Sequence, residues 1–205
     1  MQNFEESGNF AVLSLTYRCW SGNQGIITTL YHLYIRPLPK ITMHLLVIDT
    51  VPHIRQKMAY VQERLAELPG VVSVKEPRLV LARLQGEKDV RERLQKAVAD
   101  FCPFNIDVKG IGVFPHDRHV KTVWAGAPGL QNLQSAIGQE FGPPDAPAHS
   151  VIAMVKSGKV KEDVLKHVRQ LENHNFGSMR VDKIIILARQ KTGQPWDEEG
   201  CARLE

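Results

Sequence analysis

Residues 107–126 read DVKGIGVFPHDRHVKTVWAG, and this stretch decides the fold. Ile106, Val108, Ile111 and Val113 supply one apolar run, and Val120, Val123 and Trp124 a second. Pro115, His116, Asp117 and Arg118 lie between them, a composition that favours a turn. The pattern predicts two β-strands joined by a short polar connection.

Working outward, strand-like and helix-like segments alternate on both sides. Upstream, residues 44–49 (HLLVID) read as a strand, ended by Thr50, Val51 and Pro52. Proline suits the first turn of a helix. Ile54, Met58, Val61, Leu65 and Leu68 recur at three- and four-residue spacing, which predicts an amphipathic helix over 53–67, stopped by Pro69 and Gly70. Residues 71–74 and 79–84 read as short strands, and 88–101 as a helix burying Val90, Leu94, Val98 and Phe101. Downstream, Leu130, Leu133 and Ile137 mark a helix over 129–140, and Gly142, Pro143 and Pro144 break it. A strand over 149–155 and a helix over 160–172 follow. Phe176 and Gly177 lead into a strand centred on 184–187, with a last short strand near 201–204. The second half echoes the first. The expected fold is therefore α+β and bilobal: two pseudo-symmetric small antiparallel sheets, flanked by helices on their outer faces, around a central cleft that would hold a ligand.

Residues 1–42 break this pattern. They hold Gly8, Gly22, Gly25, Pro37 and Pro39 without a sustained period. The apolar run at 25–35 lacks the basic flank and small-residue cleavage site of a secretory signal. The expectation is a disordered or spurious extension, with Met43 opening the folded domain at 43–205. A short added helix or strand packing on that domain is the alternative.

The chain has 205 residues, 43% hydrophobic and 23% charged, enough for one domain of ordinary size or two small lobes. Its net charge of +4 suits a polyanionic ligand such as RNA, although many proteins without that role are as basic. Cys19, Cys102 and Cys201 are odd in number and have no Cys-x-x-Cys spacing, so neither a zinc site nor a redox pair is expected. A reducing cytoplasm is the default location. No apolar run approaches the ~20 residues of a membrane span.

Taken whole, the 107–126 stretch resembles the "G-x-G-x-F-P … V-x-W-x-G" segment of the two-histidine phosphoesterase superfamily. The resemblance is to its archaeal and bacterial RNA 2′,3′-cyclic phosphodiesterase branch, often labelled 2′-5′ RNA ligase. The matching residues are Gly110, Gly112, Phe114, Pro115, Val120 or Thr122, Trp124 and Gly126. L-Q-G-E at 84–87 stands where members have F-L-G-E, F-G-S at 176–178 precedes the last long strand, and the first strand ends in I-D at 48–49. The resemblance covers about 43–205. It implies a metal-independent phosphodiesterase, without cofactor, acting as a monomer on RNA ends or nucleotide 2′,3′-cyclic phosphates.

Members carry two H-x-T/S motifs, one on a strand in each lobe. Residues i and i+2 of a strand share a face, so each His and its Thr project together into the cleft. One His acts as general base and the other as general acid. The hydroxyls bind phosphate oxygens as charge develops. Counting back from L-Q-G-E places the first motif on Leu79-Val80-Leu81, with leucine at both functional positions. The second falls on His149-Ser150-Val151, where His149 is kept and Val151 takes the threonine position. Ser150 would reach the cleft only through a bulge. Arg83 and Lys121 are further candidate phosphate contacts. Each candidate also has a plainer reading: His149 as a structural hydrogen-bonded histidine, Arg83 and Lys121 as solvated surface charges. His116, Asp117 and His119 lack a fourth partner for a metal, and no metal is expected.

Three readings follow. The first is a diverged, catalytically impaired relative that keeps RNA-end or nucleotide-phosphate binding. The second is a working enzyme that opens 2′,3′-cyclic phosphates to 2′-phosphates. The third is a non-catalytic interaction module. A missing general acid or base costs roughly 10²–10⁴ in rate, which favours the first. Leu79, Leu81 and Val151 are then expected to pack in the cleft and close part of the phosphate space. A second histidine facing His149, such as His53 or His119, would weaken that reading.

Overall fold

The computed structural model describes residues 42–205, and before them the backbone of three strands, β1 (Glu6–Ser7), β2 (Phe10–Cys19) and β3 (Ile27–Ile35). These three form an antiparallel sheet of their own, in order β1-β2-β3. They belong to a compact unit, Met1–Lys40, distinct from the unit Ile41–Glu205. Otherwise the expectation for 1–42 lies outside the described residues.

The second unit opens with β4 (Met43–Asp49), α1 (Pro52–Ala66), β5 (Val71–Ser73), β6 (Arg78–Gln85) and α2 (Val90–Ala97). β7 (Phe104–Lys109), β8 (Ile111–His116), β9 (His119–Gly126) and α3 (Gln131–Phe141) follow. The chain ends with β10 (His149–Val155), α4 (Lys161–Gln170), β11 (Asn175–Val181), β12 (Lys183–Arg189) and β13 (Asp197–Arg203). Among the described residues the fold is α+β, with four α-helices and antiparallel sheets. The main sheet runs β13-β12-β4-β6-β10-β9-β8, and β5 pairs with β10. The first lobe supplies β13, β12, β4 and β6; the second supplies β10, β9, β8 and β5. A short seam joins them, with His149 paired to Val80 and Ser150 to Leu79.

The core lies on one face of this sheet. Alternation along β4 sends Leu46 and Ile48 to that face, where they meet Ile54 and Met58 of α1, Leu94 of α2, Leu133 and Ile137 of α3 and Val164 of α4. Leu45 and Val47 point the other way, into a smaller apolar cluster with Ile185, Leu187, Val80 and Trp196. All four helices therefore cover one face, and the second is left largely open.

Two expected strands are each divided. The run from Ile106 to Val113 breaks at Gly110, whose φ of +80° lies in the left-handed region that favours glycine. β7 leaves the main sheet there and pairs with β11 in a separate two-stranded ribbon, while β8 and β9 form the hairpin. β11 is likewise a strand in its own right, separated from β12 by Asp182. Apolar content cannot reveal such breaks, because both pieces feed the same core.

Candidate functional site

The open face is organised by strand register. His149 pairs with Val80 and with Gly126, and Val80 pairs with Val47. In the next row Val151 pairs with Trp124 and Trp124 with Gly112. Continuing the β6–β10 register by one residue sets Arg78 opposite Val151. Arg78 and Val80, two residues apart, thus share the face that carries His149.

This corrects the expected position of the first motif. Leu79 and Leu81 are 0% and 1% exposed, inside the helix-side core. The cause is a bulge in β6: Val47 pairs with Val80 but Leu46 with Ala82, so Leu81 is an extra residue. One extra residue flips every side chain before it to the other face. The leucines therefore pack in the core and not, as expected, in a cleft on the open face.

The two halves now match. Arg78-Leu79-Val80 is followed by the bulge at Leu81. His149-Ser150-Val151 is followed by a bulge at Ile152, between the pairs Val151–Trp124 and Ala153–Val123. Each bulge gives its carbonyl to a buried glutamine from a helix. Gln134 Nε2 of α3 donates to Leu81 O at 2.7 Å, and Gln62 Nε2 of α1 donates to Ile152 O at 2.7 Å. Gln134 also donates to Ala146 O at 2.9 Å and accepts from Ala148 N at 3.1 Å, which ties the lead into His149 to β6. Gln62 similarly donates to Val74 O at 2.7 Å. The sequence reading missed both glutamines. Their one available signal was a polar residue on the apolar stripe of each helix.

His149 is half-buried. Its Nδ1 lies 2.7 Å from Pro147 O. In the neutral ring Nδ1–H donates to that carbonyl and leaves Nε2 as the free acceptor. Trp124 meets the imidazole edge-on, with centroids 6.3 Å apart and planes at 63°. The indole in turn lies over Gly112, where a Cβ would stand 2.7 Å from Trp124 Cε2. Glycine at 112 therefore makes room for the tryptophan. Arg78 Nε donates to Asp49 Oδ1 at 2.9 Å, and Nη2 reaches Glu76 Oε2 at 3.4 Å. Asp49, the acid of the I-D pair, is its direct cross-strand partner.

The remaining candidates are scattered. Ser150 is 0% exposed on the core side, and its Oγ has no hydrogen-bond partner among the described residues. The β10 bulge comes after it and leaves its side chain on the core side, away from the open face. Val151 is half-buried on the open face. Arg83 is exposed opposite Leu45, toward the far end of the first lobe. Lys121 is exposed at an irregularity in the β8–β9 hairpin. His53 Nε2 contacts Ser178 O at 3.1 Å, and His119 pairs with His116 at the hairpin turn. The residue that faces His149 across the seam is Val80. Among the described residues no group of three His, Cys, Asp or Glu side chains is placed to hold a metal. No described helix is long and apolar enough to cross a membrane.

A cavity of about 780 Å³ opens beside His149 and Trp124 and extends past Phe114. Neither Arg83 nor Lys121 lines it.

Comparison with known proteins places this geometry. An RNA 2′,3′-cyclic phosphodiesterase of Methanothermobacter thermautotrophicus is 26% identical over 164 residues, 72% of this chain and 89% of that protein. A Thermus thermophilus protein of known structure superposes with a TM-score of 0.62 at 15% identity, over 79% of this chain and 97% of that one. E. coli LigT complexed with 3′-AMP superposes with a TM-score of 0.58 at 16% identity, over 80% of this chain and 98% of that one. The two structural likenesses establish the fold. A family model for the 2′-5′ RNA ligase superfamily matches residues 49–193, well over half of the sequence, and the chain belongs to that superfamily.

Proposed function

We propose that the open face binds the phosphate of a nucleotide or RNA end between His149 and Arg78, and that phosphodiesterase chemistry at this site is impaired. One observation carries the reading: the two matched triplets supply one imidazole and one guanidinium, where acid–base hydrolysis needs two proton carriers. His149, with Nδ1 engaged and Nε2 free, can take or give a proton. Arg78 can stabilise phosphate charge but stays protonated and cannot exchange a proton. Val80 and Val151 fill the positions where hydroxyl donors would contact the phosphate. Each missing donor costs roughly 10²–10³ in rate and a missing acid or base roughly 10²–10⁴, without simple additivity.

Binding is a lesser demand than catalysis. Asp49 and Glu76 occupy Nε and Nη2 of Arg78, which leaves other guanidinium N–H groups for phosphate oxygens. LigT, which shares the fold, has been solved with 3′-AMP, ATP and phosphate. That record supports a phosphate ligand here.

The test is a titration of a labelled short RNA ending in a 3′-phosphate at low and high salt. Affinity should fall with salt, and Arg78→Ala should weaken binding and flatten the salt slope. No binding at low salt, or binding unaffected by Arg78→Ala and His149→Ala, would favour an interaction module on another surface.

A further inference from the structure

We propose that the open face of the second lobe is an interface between two copies of this chain, related by a twofold axis along the row Phe114, Thr122, Met154, Val72. Among the described residues four large apolar side chains are exposed: Tyr60, Val72, Phe114 and Met154. Three of these four fall on that one row. Phe114 of β8 pairs with Thr122 of β9, Thr122 with Met154 of β10, and Met154 with Val72 of β5. Direct cross-strand partners share a face, so the four side chains stand side by side, with neighbouring strands about 4.8 Å apart. A single exposed apolar residue needs no explanation, but a contiguous row on one face marks an interaction surface.

Charge selects the partner. On the side of the row toward the β8–β9 turn lie His116, Arg118, His119, Lys121 and Lys156, all exposed, together with Asp117. On the opposite side, past Trp124 and Val151, the cavity rim carries Asp145 and Glu172, with Lys109 beside them. A basic side alone would suit an acidic partner. The acidic rim across the row makes the surface complementary to itself. A half-turn about an axis lying along the row sets row on row and puts the basic side of each copy over the acidic side of the other. Glu172 sits at the start of β8, where its carbonyl accepts from Ile111 N at 3.2 Å, and Arg118 follows the other end of that strand. The half-turn therefore brings Arg118 of one copy toward Glu172 of the other. Asp145 precedes β10 and Lys156 follows it, so these two form the second pair. Each pair occurs twice, as an isologous interface requires. Such a dimer departs from the monomer that the family resemblance implies. It also covers the cavity beside His149, so that site is open in the monomer and hidden in the dimer. The interface itself stands apart from the phosphate reading.

Sedimentation velocity of the full chain, from about 1 to about 100 μM, tests the interface over the range of small transient contacts. The expected result is a monomer–dimer equilibrium that weakens as salt rises. Met154→Lys should weaken the dimer by roughly tenfold or more, because it sets a charge in the apolar row. Arg118→Glu should also weaken it. Adding Glu172→Arg to the same chain should restore it, because both copies of that contact are then reversed together. The rescue separates a specific contact from a general effect of charge or folding. Tyr60→Ala, at the exposed ring on α1 outside the row, should leave the equilibrium unchanged. A chain that stays monomeric up to about 100 μM overturns the proposal and leaves the row to a partner of another kind. A dimer indifferent to Met154→Lys, or a charge reversal without rescue, overturns it as well.

Discussion

His149 and Val80 are direct cross-strand partners on the open face, and the same register sets Arg78 opposite Val151. The residues to exchange in rebuilding the site are therefore Arg78→His, Val80→Thr and Val151→Thr. This triple variant should stay folded, at a cost below about 2 kcal/mol per half-buried valine, and should gain partial activity toward a nucleoside 2′,3′-cyclic phosphate. Partial is the expectation because the supporting residues around the triplets were not rebuilt with it. Changing Leu79 and Leu81 instead should damage the core, since truncating a buried leucine costs about 2–5 kcal/mol. Urea denaturation of Leu79→Ala and of the triple variant separates the two assignments.

Gln62 and Gln134 should matter more for the site than their distance from the open face suggests. Each satisfies the carbonyl of a bulge that directly follows a site triplet. Gln134→Ala should cost about 1–3 kcal/mol through unsatisfied buried backbone groups. It should also release the lead into His149, seen as faster amide exchange at Ala148. Unchanged exchange there would show that the strand pairing alone holds the site.

Acid should loosen the packing of α2 on α3. Arg93 Nε donates to Glu140 Oε1 at 2.8 Å and Nη1 to Glu87 Oε2 at 2.6 Å, with the guanidinium over the Phe141 ring. The hydrogen bond from Arg93 holds the Glu140 carboxyl below its ordinary value of 4.5, and the bond to Glu140 raises Arg93. A depressed carboxylate stabilises fully above its unfolded pKa and loses that contribution as pH falls through its folded pKa. Glu140→Gln should therefore flatten the acid limb of the stability–pH curve, by lowering stability slightly at neutral pH and leaving it nearly unchanged below the carboxylate range. The size of the effect is limited by solvent screening. Melting curves from pH 7 down to the carboxylate range check this.

The unit Ile41–Glu205 contains its own core, with all four helices on the same sheet. A chain shortened to 43–205 should melt at the temperature of the full chain. A clear drop would mean that the upstream strands support the domain.

The alternation of elements and the 107–126 stretch made the fold legible, because 3.6- and 2-residue periods survive divergence. The hairpin motif also has a mechanical reason, since Gly112 clears the space that Trp124 occupies. Of the candidate site, the placement of one half was legible. His149 and Val151 follow from a regular strand start, and both lie on the open face. Arg78 was hidden because the β6 bulge at Leu81 shifts the face by one residue, and a bulge leaves no mark in an apolar string such as RLVLARL. Gln134, which satisfies that bulge, lies 53 residues away in sequence.

The most direct test of impaired chemistry is hydrolysis of a nucleoside 2′,3′-cyclic phosphate, and of an RNA ending in one, by the full chain and by its His149→Ala variant. The expected result is no turnover above the variant's background, with phosphate binding that still depends on Arg78. Turnover by the parent chain that His149→Ala abolishes would contradict the account, because a second proton carrier would then have to act where Arg78 and Val80 now stand.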